Sequence, residues 1–219
     1  MSIKGHDIRI MVVEDHALVR EGISALIRDI RGVEIIGEAV DGIEAIRMAG
    51  DLKPDVILMD IIMPELNGLE ATVRILKEFA DIRIIMLSMY ETEEYVLRAL
   101  RAGASGYLLK NDRRAELEEA IRTVASGLTY LSPTIAKFVV EYIKNPAVES
   151  PLERLTSRQR EILQLVVEGC NTRKIAANLH ISMKTVDAHR ANLMKRLNVH
   201  DIPALVRFSI RMGLITSEA

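Results

Sequence analysis

Asp60 closes a short apolar run, Val56-Ile57-Leu58-Met59, and is followed by Ile61-Ile62-Met63-Pro64-Glu65-Leu66-Asn67-Gly68. Glu14 and Asp15 close a second apolar run, Ile8-Arg9-Ile10-Met11-Val12-Val13. Carboxylates at the tips of buried strands sit where open α/β sheets place their chemistry. Clustered carboxylates repel one another, so they either raise a pKa or hold a hard cation. Magnesium fits such a cluster, since it takes oxygen ligands and keeps several waters. Glu14, Asp15 and Asp60, with the backbone carbonyl of Ile62, form the expected Mg2+ site. Ser88 ends the run before Met89, and Lys110 ends Gly106-Tyr107-Leu108-Leu109. A metal, a hydroxyl and an ammonium around one carboxylate point to phosphoryl transfer with Asp60 as the nucleophile. The metal and Lys110 would neutralise charge on the transferring oxygens, and Ser88 would donate to one of them. Taken singly, each residue has a plainer reading: a helix cap, a turn serine, a solvated lysine. Five of them at one edge favour the site.

The elements that must position these residues are legible. Strand candidates at 8–14, 33–39, 56–60, 83–88 and 106–109 alternate with helix candidates near 17–29, 43–52, 67–79, 93–102 and 113–126. Alternating βα units predict a parallel sheet covered on both faces. Five strands suit the flavodoxin-like order 2-1-3-4-5, which makes the strands carrying Glu14 and Asp60 neighbours. Tyr107, read from its type and position alone, is a rim aromatic with a wet hydroxyl. His16 reads as a surface residue opening the first helix.

The 219-residue chain is long enough for two small domains, and with 49% hydrophobic residues it can bury a core in each. One cysteine, Cys170, excludes an internal disulfide and a cysteine-based zinc site. No apolar stretch reaches the roughly 18 residues that a membrane span needs. The N-terminal residues lack the apolar core of a signal peptide, so a cytoplasmic protein is expected. The net charge of −2 hides an asymmetry: residues 1–130 hold 16 Lys and Arg against 23 Asp and Glu, residues 151–219 hold 11 against 6. The basic half could meet nucleic acid. Residues 131–153, with Pro133, Pro146 and Pro151, read as a partly helical linker between a first domain, 1–130, and a second, 154–219.

The second domain carries only helical patterns, at 157–168, 172–179, 182–197 and 201–212. A short helix, a turn at His180-Ile181 and a long helix capped by Ser182 predict a helix-turn-helix. Val186, Leu193 and Leu197 face the core. The opposite face carries Lys184, Asp187, Ala188, Ala191 and Lys195. Ala188 and Ala191 are small enough to admit base edges and to touch a thymine methyl. Thr185, His189 and Arg190, with Arg173 and Lys174 before the turn, are candidates for phosphate contacts. The same spacing also fits an ordinary helical bundle with a solvated polar face.

With these motifs in view, residues 7–128 resemble a receiver domain of two-component response regulators. Glu14-Asp15 match its acidic pair, Asp60 its phosphoacceptor, Ser88 its switch hydroxyl, Tyr107 its switch aromatic and Lys110 its lysine. Leu155 to Leu205 resembles the DNA-binding domain of NarL/FixJ (LuxR-type) regulators. The match runs through Leu155-Thr156-x-Arg158-x-x-Glu161-x-Leu163, Lys174-Ile175-Ala176-x-x-Leu179-x-Ile181-Ser182-x-x-Thr185-Val186-x-x-His189 and Arg196-Leu197. The resemblance implies that a sensor histidine kinase phosphorylates Asp60 with Mg2+ bound, and that Ser88 and Tyr107 then turn inward. It implies that the helix from Ser182 reads the major groove of double-stranded promoter DNA. It also implies that the last helix makes a homodimer; Leu205 and Phe208 are candidate contacts, with core packing the other reading of Phe208, and RNA polymerase is a further candidate partner. Asp187 stands where the family often carries a base; it would repel phosphate or accept from a cytosine amino group. An aspartyl-phosphate phosphatase is the enzymatic alternative, but it would want a second Asp where Ile62 stands. A nucleotide binder would want a Gly/Ser/Thr-rich loop where Glu14-Asp15-His16-Ala17 stands. The expectation is therefore a regulator, not an enzyme.

Overall fold

The six strands β1 (Ile8–Val13), β2 (Val33–Ala39), β3 (Val56–Asp60), β4 (Arg83–Ser88), β5 (Gly106–Leu109) and β6 (Tyr130–Leu131) form one sheet in the order β2-β1-β3-β4-β5-β6. Every pairing is parallel. The structure is a computed structural model that describes residues 7–144, 151–212 and 214. It divides into two compact units, Met1–Pro146 and Ala147–Ala219.

All five residues of β3 are buried, as a parallel strand covered on both faces requires. Side chains alternate between two cores. Met11, Val13, Ile57, Met59, Ile84, Met86 and Tyr107 pack beneath α2 (Gly42–Leu52), α3 (Gly68–Glu78) and α4 (Glu93–Arg101). Ile10, Val12, Val56, Leu58, Ile85, Leu87 and Leu108 pack beneath α1 (Ala17–Arg28) and α5 (Arg114–Ala125). The register pairs Val13 with Met59, Asp60 with Leu87 and Ser88 with Leu109, so Glu14, Asp60, Ser88 and Lys110 all emerge at one edge.

Two sequence expectations need correction here. The sheet has six strands, not five: Tyr130 and Leu131 pair with Gly106 and Tyr107. A two-residue strand is too short to leave a periodic signal, and only the open edge of β5 reveals it. The helical part of the expected linker is α6 (Pro133–Lys144), and it packs into the first unit. Ile135 is fully buried, and Phe138 and Val139 lie against the same core as Tyr95 and Tyr107. Arg101 on α4 donates to the Tyr142 hydroxyl at 2.7 Å and lies 5.2 Å from the ring centroid. Residues 145–150 lie outside the described residues.

Among the described residues the second unit contains a 3-10 turn at Pro151–Arg154 and four helices: α7 (Ser157–Val167), α8 (Thr172–Asn178), α9 (Met183–Leu197) and α10 (Ile202–Arg211). Each α-helix starts on a side-chain cap, from Thr156, Asn171, Ser182 and Asp201. Thr156 and Gln159 complete a reciprocal capping box. Leu205 and Phe208, expected as dimer contacts, are instead buried at 1% and 6% exposure beside Ile162, Leu165 and Leu193. The outward side of α10 carries Pro203, Arg207 and Ile210.

Gly68 explains the Asn67-Gly68 pair. A Cβ there would collide with the Asp60 carbonyl oxygen and lie 2.9 Å from the Met59 side chain. Gly22 in α1 has nothing within 4 Å. Gly68→Ala is therefore expected to lower unfolding free energy by about 1–3 kcal/mol or more. Gly22→Ala is expected to raise it by up to about 1 kcal/mol. Urea denaturation of both variants checks the contrast.

Candidate functional site

The site is built on a single ammonium. Lys110 follows β5, and its backbone N–H donates to the Ser88 carbonyl at 2.8 Å, which fixes where its side chain begins. Its Nζ lies 2.7 Å from Glu14 Oε2 and 3.0 Å from Asp60 Oδ2. Glu14 is fully buried and Asp60 is 4% exposed. The other Asp60 oxygen accepts from the Ile61 N–H at 2.7 Å. Burial pushes the Asp60 carboxyl up to about 6, against the opposing pull of Lys110 and with help from the Glu14 charge. Burial works against the Lys110 charge as well, but Asp60 and Glu14 outweigh it and hold its pKa above the ordinary lysine value.

Glu14 is held from both sides of its backbone: its N–H donates to the Ala39 carbonyl at 3.1 Å, and its carbonyl accepts from Arg20 Nη1 at 2.7 Å. Asp15 is half-buried, and His16 Nδ1 lies 2.9 Å from Asp15 Oδ1 and 3.4 Å from Glu14 Oε1. His16 is exposed at the start of α1, as the sequence suggests, yet its ring joins the acidic pair. Glu14, Asp15 and His16 offer atoms within 4.8 Å of one another. Three carboxylates and one ammonium leave two negative charges uncompensated. A divalent oxygen-seeking cation such as Mg2+ fits that donor set. Ile62 is half-buried two residues beyond Asp60.

Ser88 is 1% exposed, and its Oγ accepts from the Tyr90 N–H at 2.9 Å. Tyr107 corrects its reading from residue type: it is fully buried rather than at the rim, and its hydroxyl donates to the Tyr90 carbonyl at 2.8 Å. Burial raises its hydroxyl to about 12, offset in part by the Ser88 hydroxyl and reinforced by the Asp60 charge. Tyr90 and Tyr95 stack beside it, with ring centroids 5.1 Å apart. The loop after β4 thus ties Ser88 and Tyr107 to one residue, Tyr90.

On the second unit, Val186, Leu193 and Leu197 are buried in α9, while Lys184, Thr185, Asp187, Ala188, Ala191 and Lys195 are exposed. His189 and Arg190 are half-buried, and Arg173 and Lys174 are exposed on α8. His180, at φ 52°, makes the turn between the helices. Thr172, which no sequence motif singles out, contacts both Asp187 and Arg190.

An acidic pocket with a bridging lysine at the edge of a parallel sheet, joined in one chain to a helix-turn-helix unit, defines a phosphoacceptor-type regulator. Comparisons with known proteins agree. Residues 10–122 match the response regulator receiver domain, and residues 153–209 match the luxR family of bacterial regulatory proteins. The oxygen regulatory protein NreC of Staphylococcus carnosus is 37% identical over 94% of this chain and 99% of its own. The transcriptional regulatory protein LiaR of Bacillus subtilis is 39% identical over 95% and 99%. A solved LuxR-family response regulator from an Aurantimonas species is 37% identical, with a TM-score of 0.61 over 64% of this chain and 99% of that one. RcsB of Salmonella enterica serovar Typhimurium, bound to promoter rprA, shares the fold at a TM-score of 0.65 and 22% identity, over 93% of this chain and 98% of that one. The chain belongs to the NarL/FixJ family of two-component response regulators, which are transcriptional regulators and not enzymes. No helix among the described residues is long and apolar enough to cross a membrane.

The raised Asp60 carboxyl has a stability consequence. Its folded-state pKa exceeds the ordinary value of 3.8, so the ionised side chain costs stability as pH rises from 3.8 through 6. In EDTA, raising the pH from 5 to 7.5 is expected to cost wild type about 1 kcal/mol more than Asp60→Asn, which has no such proton to lose. Denaturation midpoints of the two proteins at both pH values measure the difference.

Proposed function

We propose that Asp60 accepts a phosphoryl group from a sensor histidine kinase, and that this controls binding of promoter DNA by the helical unit. The observation that carries the reading is the Lys110 ammonium, within 3.0 Å of both Asp60 and Glu14. An Asp60 oxygen attacks phosphorus, a P–O bond forms, and the P–N bond to the kinase imidazole breaks with its electron pair returning to the ring. The Ile61 N–H holds one Asp60 oxygen while Lys110 meets charge developing on the transferring oxygens. Glu14, Asp15, Asp60 and the Ile62 carbonyl would hold Mg2+, which supplies further neutralisation of that charge when bound. Ser88 would exchange its Tyr90 N–H partner for a phosphoryl oxygen. Because Tyr107 and Ser88 share Tyr90, that exchange would bias the β4–α4 loop and the face of α4, β5 and α5.

For the output, Arg173, Lys174, Lys184, Thr185, His189, Arg190 and Lys195 supply phosphate and base-edge contacts, with Ala188 and Ala191 admitting the bases. The active form is a homodimer acting in the cytoplasm, where promoter DNA and RNA polymerase are found. The burial of Leu205 and Phe208 supports the exposed side of α10, with Pro203, Arg207 and Ile210, as the dimer contact instead.

Incubation with Mg2+ and acetyl phosphate is expected to add one phosphoryl group to wild type and none to Asp60→Ala, as read by intact-protein mass. The same adduct on Asp60→Ala would overturn the reading. Ile62 is half-buried two residues past Asp60, and the partly exposed Tyr90 is hydrogen-bonded to Ser88. Both bulky side chains are expected to hinder attack by water on the acyl phosphate. Ile62→Asn should therefore shorten the phosphoprotein lifetime several-fold, measured by the decay of the labelled adduct; an equal lifetime counts against the role of Ile62.

A further inference from the structure

Asp187 is an acid on a helix that has to approach a polyanion. The structure gives it a partner. Thr172, the first residue of α8, stands across the turn from α9, and its Oγ1 accepts from Arg190 Nη1 at 3.1 Å. The same hydroxyl donates to Asp187 Oδ1 at 3.5 Å, a long bond. Asp187 and Arg190 are three residues apart on α9, a spacing at which acid and base commonly pair directly. Here a hydroxyl from the other helix stands between them. Thr172 and Arg190 are half-buried, while Asp187 is exposed.

We propose that Thr172 is a positioning residue for DNA recognition, orienting Arg190 through a relay that runs from Asp187 through Thr172 to Arg190. The relay rests on the reading of α9 as the DNA-contacting helix. Its chemistry has one polarity. A hydroxyl has a single proton and two lone pairs, so giving the proton to Asp187 leaves a lone pair to accept from the guanidinium. The β-branched threonine restricts χ1, which aims that hydroxyl. Among the described residues one guanidinium N–H is used, which leaves the others for a guanine edge or a phosphate. Holding a long, flexible side chain before binding reduces the ordering cost of the contact. The acid then acts as an anchor: its hydrogen bond is directed at α8 rather than at a base. Without the hydroxyl, Asp187 and Arg190 can pair directly, which withdraws a positive charge from DNA and leaves the specificity contact unmade.

The test uses full-length phosphorylated protein and DNA selected from a random pool by wild type. Thr172→Val removes both hydrogen bonds and keeps the shape; Thr172→Ser keeps the hydroxyl. Thr172→Val is expected to lose about tenfold in affinity for the selected site, the scale of one good base contact. It should also relax the preference at one base pair, and lower the slope of log affinity against log salt by about 0.9, one phosphate contact. Thr172→Ser should restore all three. Adding Asp187→Asn to Thr172→Val should cost less than the sum of the two single changes. Thermal melting of each variant separates folding loss from these readouts, because a misfolded unit loses affinity without a new base preference. If Thr172→Val selects the wild-type sequence with unchanged discrimination, the relay is wrong while DNA binding stands. If wild type enriches no sequence, the reading of α9 falls and the relay with it.

Discussion

The first unit depends on one buried charge arrangement: an ammonium shared between two carboxylates at the end of a parallel sheet. Lys110 is the reason that Glu14 and Asp60 can both be buried, since unpaired charges of that kind would cost several kcal/mol each. The compensation is incomplete. Two negative charges remain when Asp15 is counted, and burial still holds the Asp60 carboxyl near 6. That shortfall is useful. A carboxylate that is paired but not fully neutralised keeps affinity for a cation and for an electrophilic phosphorus. Full neutralisation would make a stable core and an inert one.

The sheet makes this arrangement possible because strand ends are the rigid positions of the fold. Glu14, Asp60, Ser88 and Lys110 come from four adjacent strands whose register is set by apolar residues on both faces. The close approach of α3 to the Asp60 backbone, which only glycine at position 68 permits, adds a further constraint. Precision at the acceptor is thus a by-product of packing around it. Ser88 and Tyr107 follow a different rule: both are hydrogen-bonded to Tyr90, a loop residue that is partly exposed. A rigid acidic pocket beside a shared, replaceable loop contact can support two hydrogen-bonded arrangements.

Much of this was legible in the sequence because strand ends and helix caps are local signals. Apolar runs ending in acid, hydroxyl or lysine located the pocket, and Ser182 with Val186, Leu193 and Leu197 located α9. What was not legible depends on long-range contact. Tyr130 and Leu131 form a strand only because β5 offers them an edge. Pro133–Lys144 looks like a linker by its flanking prolines, and its place in the core is set by Ile135, Phe138 and Val139 meeting α4. Leu205 and Phe208 show how a helix labelled by its family role can spend its largest apolar residues internally. Thr172 carries no motif; its meaning appears only when α8 and α9 are brought side by side.

The sixth strand and α6 have a mechanical consequence. The chain leaves the first unit through a helix riveted to α4 by Arg101 and Tyr142 and preceded by a strand laid against Tyr107. Tension applied from the C-terminal side enters at Lys144 and loads the α4–α6 seam before it reaches the sheet. The load is therefore borne first by α4, through a helix that is itself part of the first unit.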